Sequence, residues 1–525
     1  MPIQPTYPGV YIQEKSSGVR TITGVSTSIA VFFGRTQRGP VDEAVRCLGY
    51  SDFLRKFGAG HPKSDLRASV KQFFDNGGTD CYVVRVTASG AVSADATIAD
   101  SAGPTDIMTV TAKNAGAWGN NIQFETTDNG DGTFSMTVSE VDGTTVLSSE
   151  PTYIKLSLDP TSPRYVEDYV SQRSDLVDVE VLNLPAVFDS TTGPQDGTYF
   201  LGVAPPLPLV VSADQTGMTQ GLDDDGVTPL ATTDYTNPQR AFDSLERVDL
   251  FNLMVIPGDE DLGEAGYQTL LDPASVICEN RRAFLLVDAP ETNWTSAAGI
   301  PVAGKTEVDG LRVGMSTKYS AVFYPKIRYN DGGILKSIGP SAMVAGIMAR
   351  TDSQRGVWKA PAGIDANLRL VDDVFPNLTD NENGVLNKMG VNCIRKFPNG
   401  IVNWGARTLD GDDDFGSEWK YIPIRRLALF IEESLFRGTK WVVFEPNDEP
   451  LWAMIRMNLN AFMMSLFRQG AFQGSTPDKA FFVKCDGETT TANDRNLGIV
   501  NIVVGFAPLK PAEFVIITIQ QIPDV

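Results

Sequence analysis

The sequence predicts a multidomain protein of mixed α/β and α+β class, with an αβ core domain, an inserted β-rich domain and an extended β-arm at each end. A length of 525 residues exceeds what one hydrophobic core normally organises, so about two to four domains are expected. Between Ser89 and about Leu201 the chain is rich in Ser, Thr, Asp and Gly and poor in basic residues, which marks the insert. Both ends carry β-prone runs without a neighbouring hairpin partner, which marks the arms.

The first 20 residues are predicted to form the N-terminal arm. Three prolines within the first eight residues oppose a helix, whereas Tyr7–Gln13 is β-prone. A strand without a local partner must find its hydrogen bonds on another segment or leave them unmade.

The αβ core domain is predicted to comprise residues 21–88 and 237–395. Buried-strand and amphipathic-helix patterns recur in both stretches. In the first stretch the predicted elements are a strand at Ser28–Gly34, a helix at Ser64–Asn76 and a strand at Cys81–Val86. In the second they are a strand at Leu250–Ile256, a helix at Ala265–Arg282 and a strand at Ala283–Asp288.

The inserted domain, residues 89–201, is predicted from strands that alternate apolar and polar residues, at Ile107–Ala112, Ile122–Thr126 and Phe134–Val141. Asp131-Gly132 and Asp142-Gly143 supply hairpin turns. Residues 202–236, which include the acidic run Asp223–Gly226, are predicted to be a loop connection.

Residues 396–510 are predicted to form a C-terminal αβ domain, followed by a C-terminal β-arm at 511–525. A helix at Ile424–Arg437 ends at Gly438, and a strand is expected at Lys440–Glu445. Asn447 or Asp448 then caps a long helix with Pro450 in its first turn. The apolar residues of this helix recur at intervals of three and four, at Leu451, Met454, Ile455, Leu459, Phe462, Met463 and Leu466. Strands are expected at Ala480–Cys485, Ile499–Phe506 and Glu513–Gln521.

Bulk composition excludes several classes of function. Forty-four basic and 65 acidic side chains give a net charge of −21, which repels a phosphate backbone and argues against nucleic-acid binding. The five cysteines, Cys47, Cys81, Cys278, Cys393 and Cys485, are widely spaced and are expected to be buried thiols. The N-terminus lacks a signal-peptide pattern, and no apolar run approaches the ~20 residues of a membrane helix, so the chain is expected to fold in the cytosol.

One nucleotide-binding pattern is formally complete, at Gly299–Thr306, where Gly304-Lys305-Thr306 ends a phosphate-loop match. The predicted strand ends at Asp288, too early to lead into this loop, and Pro301 removes one amide donor. The pattern is therefore interpreted as a surface turn, with a P-loop nucleotide-binding protein kept as an alternative.

Other candidate sites are weaker. The acidic runs Asp410–Asp414 and Asp223–Gly226 lack the glycine and glutamate of a calcium loop and are expected to be solvated, with weak calcium binding left open. His61 is the single histidine, which excludes a two-histidine metal site within one chain.

Glu432 and Glu433 are adjacent on a helix and so point to different sides. Arg425 and Arg426 are expected at a solvated helix end or paired with acids of a neighbouring subunit, so these four residues are candidates for intersubunit electrostatics. No catalytic residue, metal or cofactor is expected.

The order of several motifs resembles the sheath protein of contractile phage tails and related injection machines. The motifs lie at Tyr7–Glu14, Gly24–Ile29, Lys113–Asn120, Leu286–Pro290, Arg355–Pro361, Phe397–Leu409, Trp441–Asn447 and Pro511–Phe514. The resemblance is closer to phage-type sheaths than to the two-protein sheaths of secretion systems, because all the motifs lie in one chain.

This resemblance implies a structural protein rather than an enzyme. Such subunits are expected to stack as six-fold rings around an inner tail tube, to contact baseplate and tail terminator proteins, and to contract without nucleotide. The insert would lie outermost, and the terminal arms of neighbours would add strands to the C-terminal domain. The arm residues expected to do so are Tyr7, Val10, Tyr11, Ile12, Phe514, Val515, Ile516, Ile517 and Ile519.

The protein is expected first in the cytoplasm of the producing bacterium and then in the tail of the particle. A static shell or surface-layer protein, which would polymerise without contracting, is a further alternative.

Overall fold

The first part of the core is a set of parallel strands with helices packed beside them. The computed structural model describes residues 21–100, 105–183, 193–202, 212–223 and 229–518. Its first elements are β1 (Ala30–Gly34), β2 (Ala44–Cys47), α1 (Tyr50–Phe57), α2 (Leu66–Asp75) and β3 (Cys81–Arg85). β1 is buried along its whole length and runs parallel to β3, whereas β2 lies antiparallel to β3 at the sheet edge. The two predicted strands and the predicted helix of this segment are confirmed.

The insert is a β-rich unit with its own hydrophobic core. Its elements are β4 (Asp95–Ala99), β5 (Asp106–Ala112), β6 (Ile122–Asp128), β7 (Phe134–Asp142), β8 (Thr145–Ser149), β9 (Tyr153–Leu156), α3 (Val166–Ser171), β10 (Val177–Val181), β11 (Gly197–Phe200) and β12 (Gln215–Thr219). They form one sheet of order β10-β5-β4-β12 and a second of order β11-β6-β7-β8, with β9 also paired to β7. Stacked rings of Phe124 and Tyr199, with centroids 4.9 Å apart, lie within the core of this unit.

The predicted loop connection at 202–236 is wrong in part, because it contains β12, which pairs antiparallel with β4. Val92 and Leu222 then exchange two backbone hydrogen bonds of 2.9 Å, so the insert closes where the chain entered it. β12 lies at the edge of its sheet, and none of its side chains is buried. An edge strand of this kind has no alternation of apolar residues, which is the pattern that predicts strands.

The second part of the core completes an eight-stranded sheet. Its elements are α4 (Thr233–Thr236), β13 (Leu253–Val255), α5 (Gly263–Arg281), β14 (Phe284–Asp288), α6 (Lys305–Arg312), β15 (Ser320–Tyr324), β16 (Lys326–Asp331), β17 (Ile334–Ile338), α7 (Ser341–Arg355), β18 (Asp373–Phe375), α8 (Asp380–Lys388), β19 (Val391–Phe397) and β20 (Gly400–Asn403). The sheet order is β2-β3-β1-β13-β14-β15-β19-β20, with the six inner strands parallel and the two edge strands antiparallel to their neighbours. β16, β17 and β18 form a separate small sheet.

Close helix packing under this sheet depends on two glycines. Gly77, at φ 118°, follows α2, and a Cβ there would lie 2.7 Å from the Cβ of Arg350 on α7. A Cβ on Gly346 of α7 would lie 2.5 Å from the backbone oxygen of Phe73 on α2. The two helices can therefore approach only because neither position carries a side chain.

The C-terminal unit is built on two long helices. Its elements are α9 (Ile422–Gly438), α10 (Glu449–Arg468), α11 (Pro477–Ala480), β21 (Phe481–Lys484), α12 (Ala492–Asn496) and β22 (Val503–Phe506). α9 joins the two cores, since Leu429 packs in the core of the main sheet and Leu427 packs with α10. The predicted stripe on α10 is buried as expected, apart from Met454, which is only partly buried.

Three predictions at this end of the chain differ from the structure. Lys440–Glu445 is not a strand: Lys440–Val442 forms a short 3₁₀ turn, and the β-prone residues after it are exposed between two helices. β19 and β20 belong to the main sheet, so the predicted domain boundary after residue 395 falls inside β19. Residues 513–518 are not in a strand, and residues 519–521, like the predicted strand Tyr7–Gln13, lie outside the described residues.

The five cysteines are all free and buried, as predicted. Cys47 and Cys81 face each other across β2 and β3, and burial raises the pKa of Cys47 to about 12. A thiol with so high a pKa has little thiolate to react with at neutral pH.

Candidate assembly site

The C-terminal arm leaves the body of the protein at an ion pair between Glu513 and Arg407. The guanidinium of Arg407 is fully buried and donates from Nε and Nη2 to the two carboxylate oxygens of Glu513, at 2.7 and 2.8 Å. The Tyr421 hydroxyl donates to the same carboxylate at 3.1 Å. Burial alone would raise the pKa of Glu513, but the hydrogen bonds and charge of Arg407 hold that pKa below its ordinary value. The carboxylate is therefore ionised and anchored at neutral pH.

Beyond this anchor the described part of the arm is exposed. Phe514, Val515, Ile516 and Ile517 are four consecutive large apolar residues, each between 74% and 90% exposed. Soluble proteins rarely leave a contiguous apolar run of this kind in water unless a partner covers it. The fifth predicted arm residue at this end, Ile519, lies outside the described residues.

The root of the N-terminal arm is fixed to α9. The amide of Val25 donates to the hydroxyl of Ser434 at 3.2 Å, and Arg426 donates to the carbonyl of Thr27 at 2.8 Å. Gly24 packs so close to α9 that a Cβ there would lie 2.8 Å from the ring of Phe430. The predicted arm residues Tyr7, Val10, Tyr11 and Ile12 lie outside the described residues.

Arg426 ties this root to α7 as well. Its guanidinium makes two hydrogen bonds, of 3.0 and 2.6 Å, to the carboxylate of Asp352, and both side chains are buried. The hydroxyl of Thr27 donates to the same carboxylate at 2.7 Å. One buried charge pair thus joins the N-terminal root, α7 and α9.

The neighbouring charged residues of α9 are also engaged within the chain. The Arg425 guanidinium lies over the rings of Tyr319 and Trp419, 4.4 and 4.5 Å from their centroids, and donates to Glu432 at 3.2 Å. Glu433 accepts from Arg282 and Arg437 at 2.9 and 2.7 Å. The expectation of a solvated helix end is therefore wrong for Arg425 and Arg426, both of which are buried. An intersubunit role for Arg425, Arg426, Glu432 and Glu433 stays a prediction.

A small β-ribbon lies beside α10. β21 and β22 pair antiparallel, and among the described residues neither is joined by a further strand. Phe482 on β21 and Val503 on β22 have exposed side chains. An isolated two-stranded ribbon is marginally stable, and its open edges can accept strands from another chain.

The phosphate-loop pattern does not have the geometry of a nucleotide site. β14 ends at Asp288, well before Gly299, and the helix α6 begins at Lys305 itself. The amine of Lys305 forms a salt bridge with Asp414 and lies 3.9 Å from Asp412. The lysine that would contact a phosphate is thus paired with carboxylates.

The acidic run Asp410–Asp414 is less solvated than predicted. Asp412 is buried against Arg312 at 3.1 Å, and Asp413 accepts from Arg407 and Lys420 at 2.8 and 2.6 Å. Charges already paired in this way are poorly placed to bind a cation. In the other acidic run, Asp223–Gly226, the structure describes only Asp223. The Nε2 of His61 lies 3.6 Å from the Oδ2 of Asp223.

The crevice where open α/β sheets usually bind ligands is filled by the chain itself. It lies at the carboxyl ends of β1 and β13, where the strand order reverses. Arg35 follows β1 directly and donates two hydrogen bonds, of 2.9 and 2.6 Å, to the carboxylate of Asp259, which follows β13. Asp261 accepts a third from Arg35 at 2.7 Å. A buried ion pair therefore occupies the place of a ligand.

Neither a membrane-spanning helix nor a metal-binding cluster is found among the described residues. No helix among them has both the length and the apolar character needed to cross a bilayer. No group of three or more His, Cys, Asp or Glu side chains among them is arranged to hold a metal ion.

Comparison with known families identifies the class of protein. A profile of the phage tail sheath protein central domain matches residues 230–409, and one of the phage tail sheath C-terminal domain matches residues 414–522. The chain belongs to the phage tail sheath family. The resemblance stated from the sequence motifs is thus confirmed, and with it the prediction of a structural sheath subunit.

Individual relatives agree with this assignment. A putative prophage major tail sheath protein of Pseudomonas aeruginosa (strain UCBPP-PA14) is 25% identical over 268 residues, which cover 50% of this chain and 62% of that one. The match thus spans less than two thirds of that relative.

Solved sheath proteins share the fold over nearly the whole chain. The helical sheath of the anti-feeding prophage in its contracted state is 22% identical, with a TM-score of 0.57 and coverage of 98% of this chain and 99% of that one. A sheath tail protein from Listeria innocua is 14% identical, with a TM-score of 0.58 and coverage of 93% and 96%. The predicted multidomain α/β fold class is confirmed.

The ion pair that anchors the C-terminal arm of this sheath protein was not predicted from the sequence. Arg407 and Glu513 both lie in motifs that carried the family resemblance, yet 106 residues separate them. A charged residue directly before an apolar run, as in Glu513-Phe514, is the signal that could have pointed to the root of the arm.

Proposed function

We propose that this protein is the repeating subunit of a contractile tail sheath. Subunits polymerise as stacked six-fold rings around an inner tail tube, and the sleeve shortens and widens to drive the tube through a target envelope. The observation that carries the proposal is that Glu513 is ion-paired to the body of the protein, whereas the apolar residues 514–517 immediately after it are exposed.

The arms connect neighbouring subunits by adding strands to an open sheet. No further strand among the described residues pairs with the β21–β22 ribbon, so its edges are available for such addition, and the apolar residues 514–517 have the β-propensity of the strand that would be added. Ladder hydrogen bonds between chains keep the subunits connected while the bodies rotate, since the arms pivot at their fixed roots.

The energy for contraction is stored in subunit packing at assembly. The extended sleeve is metastable, and contraction forms additional contacts between bodies. Lys305 is paired with Asp414, and Arg35 fills the crevice of the main sheet, so neither place offers a ready nucleotide site. We accordingly assign the protein no catalytic step.

The remaining partners follow from the same role. The inner tube protein lies inside the sleeve, baseplate and tail terminator proteins close its two ends, and the inserted domain lies outermost. The subunit is made in the cytoplasm of the producing bacterium and ends in the tail of a virion or a phage-like particle.

Electron microscopy of the purified protein tests the proposal. A contractile sheath gives hollow tubes, with long narrow and short wide forms as two states of one polymer. Tubes of a single diameter that never change would indicate the static shell, and a protein that stays monomeric at every concentration would overturn the proposal.

A further inference from the structure

The turn between α9 and α10 ends in an exposed aromatic tip, made of Val443, Phe444 and Glu445. The side chain of Phe444 is fully exposed, and Val443 is 64% exposed. Phe444 has a φ of 70°, a left-handed conformation that a bulky residue rarely adopts. Strain combined with full exposure of an aromatic ring is unfavourable in an isolated chain, and such positions commonly serve binding.

Acidic residues follow the ring in the sequence. Glu445 is part of the tip, and Asp448 and Glu449 follow at the start of α10, all three exposed, with Glu449 paired to Arg456. The tip therefore combines an exposed aromatic ring with the adjacent carboxylate of Glu445. A matching surface must offer an aromatic floor and basic side chains.

A groove at the other end of α10 has these features. It has a volume of about 980 Å³ and lies between the C-terminal segment 509–515, the turn at Gln469-Gly470 and the chain that follows α7. Its aromatic lining comes from Trp358, Trp404 and Tyr421, and its basic lining from Arg355, Lys359 and Lys510. The acid in its wall, Glu513, is already paired with Arg407.

A second cavity of about 430 Å³, which shares Arg355 and Lys359, extends the basic surface. It adds Arg369 and Arg350, and the Nη1 of Arg350 is buried without a hydrogen-bond partner among the described residues. Asp365 is the acid in this cavity. None of the five basic residues of the two cavities forms a salt bridge with a residue that the structure describes. Such a cluster in a chain of net charge −21 favours an acidic partner.

The tip cannot reach the groove of its own chain. α10 has 20 residues, and at 1.5 Å per residue it holds its two ends about 30 Å apart. The tip lies at the N-terminal end of this helix, and Gln469-Gly470 of the groove lies just past its C-terminal end. A contact between them must join two copies head to tail, which is the kind of contact that closes rings or continues as a helix.

We propose that the tip of one subunit docks into the basic, aromatic groove of a neighbouring copy. The Phe444 ring packs against Trp358 and Trp404, and Glu445 pairs with Lys359. This contact rests on the proposed polymer and adds to the arms a second connection between the bodies of subunits.

A charge swap tests the contact. Glu445→Lys and Lys359→Glu each place like charges together, and each is expected to raise the concentration needed for tube assembly by roughly tenfold or more. The double variant restores the opposite charges and is expected to assemble close to wild type. Phe444→Ser is expected to weaken assembly as well, whereas the control Leu147→Ser, an equally apolar exposed residue on β8 of the insert, leaves it unchanged. Sedimentation measures the assembled fraction.

The outcomes separate this contact from the polymer itself. If the wild type forms tubes and Glu445→Lys, Lys359→Glu and Phe444→Ser all assemble normally, the contact is wrong and the sheath role stands. If the wild type forms no tubes, the proposed function fails.

Even if the wild type forms no tubes, cross-linking tests the contact between tip and groove. A Glu445→Cys chain mixed with a Lys359→Cys chain forms a disulfide-linked pair only if tip and groove meet. Absence of this pair, or cross-linking of Lys359→Cys to Ile12→Cys instead, would overturn the inference and, in the second case, assign the groove to the N-terminal arm.

Discussion

Glu513 and Arg407 form a bidentate ion pair that separates the anchored part of the C-terminal chain from its exposed part. The Arg407 guanidinium is fully buried, and the two hydrogen bonds measure 2.7 and 2.8 Å. Among the described residues, Phe514–Ile517 are exposed immediately beyond this pair, and the Glu513 carboxylate also accepts a hydrogen bond from Tyr421. The pair therefore marks the point at which the described C-terminal chain changes from anchored to exposed.

The first prediction concerns this pair directly. Glu513→Gln removes the charge and leaves a buried guanidinium with Asp413 as its remaining acid. A loss of about 1.5–3 kcal/mol at the arm root is expected, the range for hydrogen bonds to charged groups. Limited proteolysis next to the arm root, at residues 509–513, should become faster in the variant while the main sheet stays resistant. Asp413→Asn, which removes the other acid partner of Arg407, is the control and should leave the rate of cleavage at the arm root as in the wild type.

The second prediction is the pH dependence of the anchor. The pKa of Glu513 is held below its ordinary value of 4.5. A carboxyl with a lowered pKa in the folded state stabilises that state above its unfolded pKa, and this stabilisation is lost as the pH falls through the folded pKa. Proteolysis of the arm should therefore stay constant from neutral pH down to about 4.5 and increase only below it. Glu513→Gln should show an already loosened arm at neutral pH and no change in this window.

The third prediction concerns the buried pair of Arg426 and Asp352. Asp352→Asn leaves the Arg426 charge uncompensated, and breaking a buried pair costs about 3–5 kcal/mol. Urea denaturation should show this loss. The double variant Arg426→Met with Asp352→Leu removes both charges and should lose less, although Thr27 forfeits its acceptor. Equal losses in the single and double variants would show that packing, and not the unpaired charge, dominates.

These ion pairs also show which features of the structure the sequence could not predict. The stripe on α10 was predictable because burial follows a local period of three and four residues. Arg426 and Asp352 were not, because they are 74 residues apart and their contact has no local pattern. β12 was missed since none of its side chains is buried, and Val442–Phe444 was misread as part of a strand because a β-prone run can also end a turn. Local periodicity thus predicted most helices and strands, whereas the ion pairs Arg407–Glu513 and Arg426–Asp352 depend on tertiary contacts that leave no local pattern.

The fourth prediction concerns Lys305. Lys305→Ala removes a salt bridge to Asp414 between solvent-exposed side chains, and exposed pairs contribute little to stability. Folding, tube formation and nucleotide binding should all match the wild type. A measurable ATP affinity in the wild type that the variant lacks would instead support the P-loop alternative.

The fifth prediction, which decides whether the arms hold the sleeve together, uses proline at the centre of each arm. Ile12→Pro and Ile517→Pro remove an amide donor and fix φ, which disrupts an added strand. Each hydrogen bond contributes only about 1 kcal/mol, but the loss recurs at every subunit of a polymer. Ile517 is exposed and is in no strand that the structure describes, so its replacement should leave the monomer folded by circular dichroism while tubes fail to form. Ile12→Val and Ile517→Val keep the amides and a β-branched side chain, and should assemble normally. Normal polymerisation of both proline variants would mean that contacts between subunit bodies, and not the arms, hold the sheath wall together.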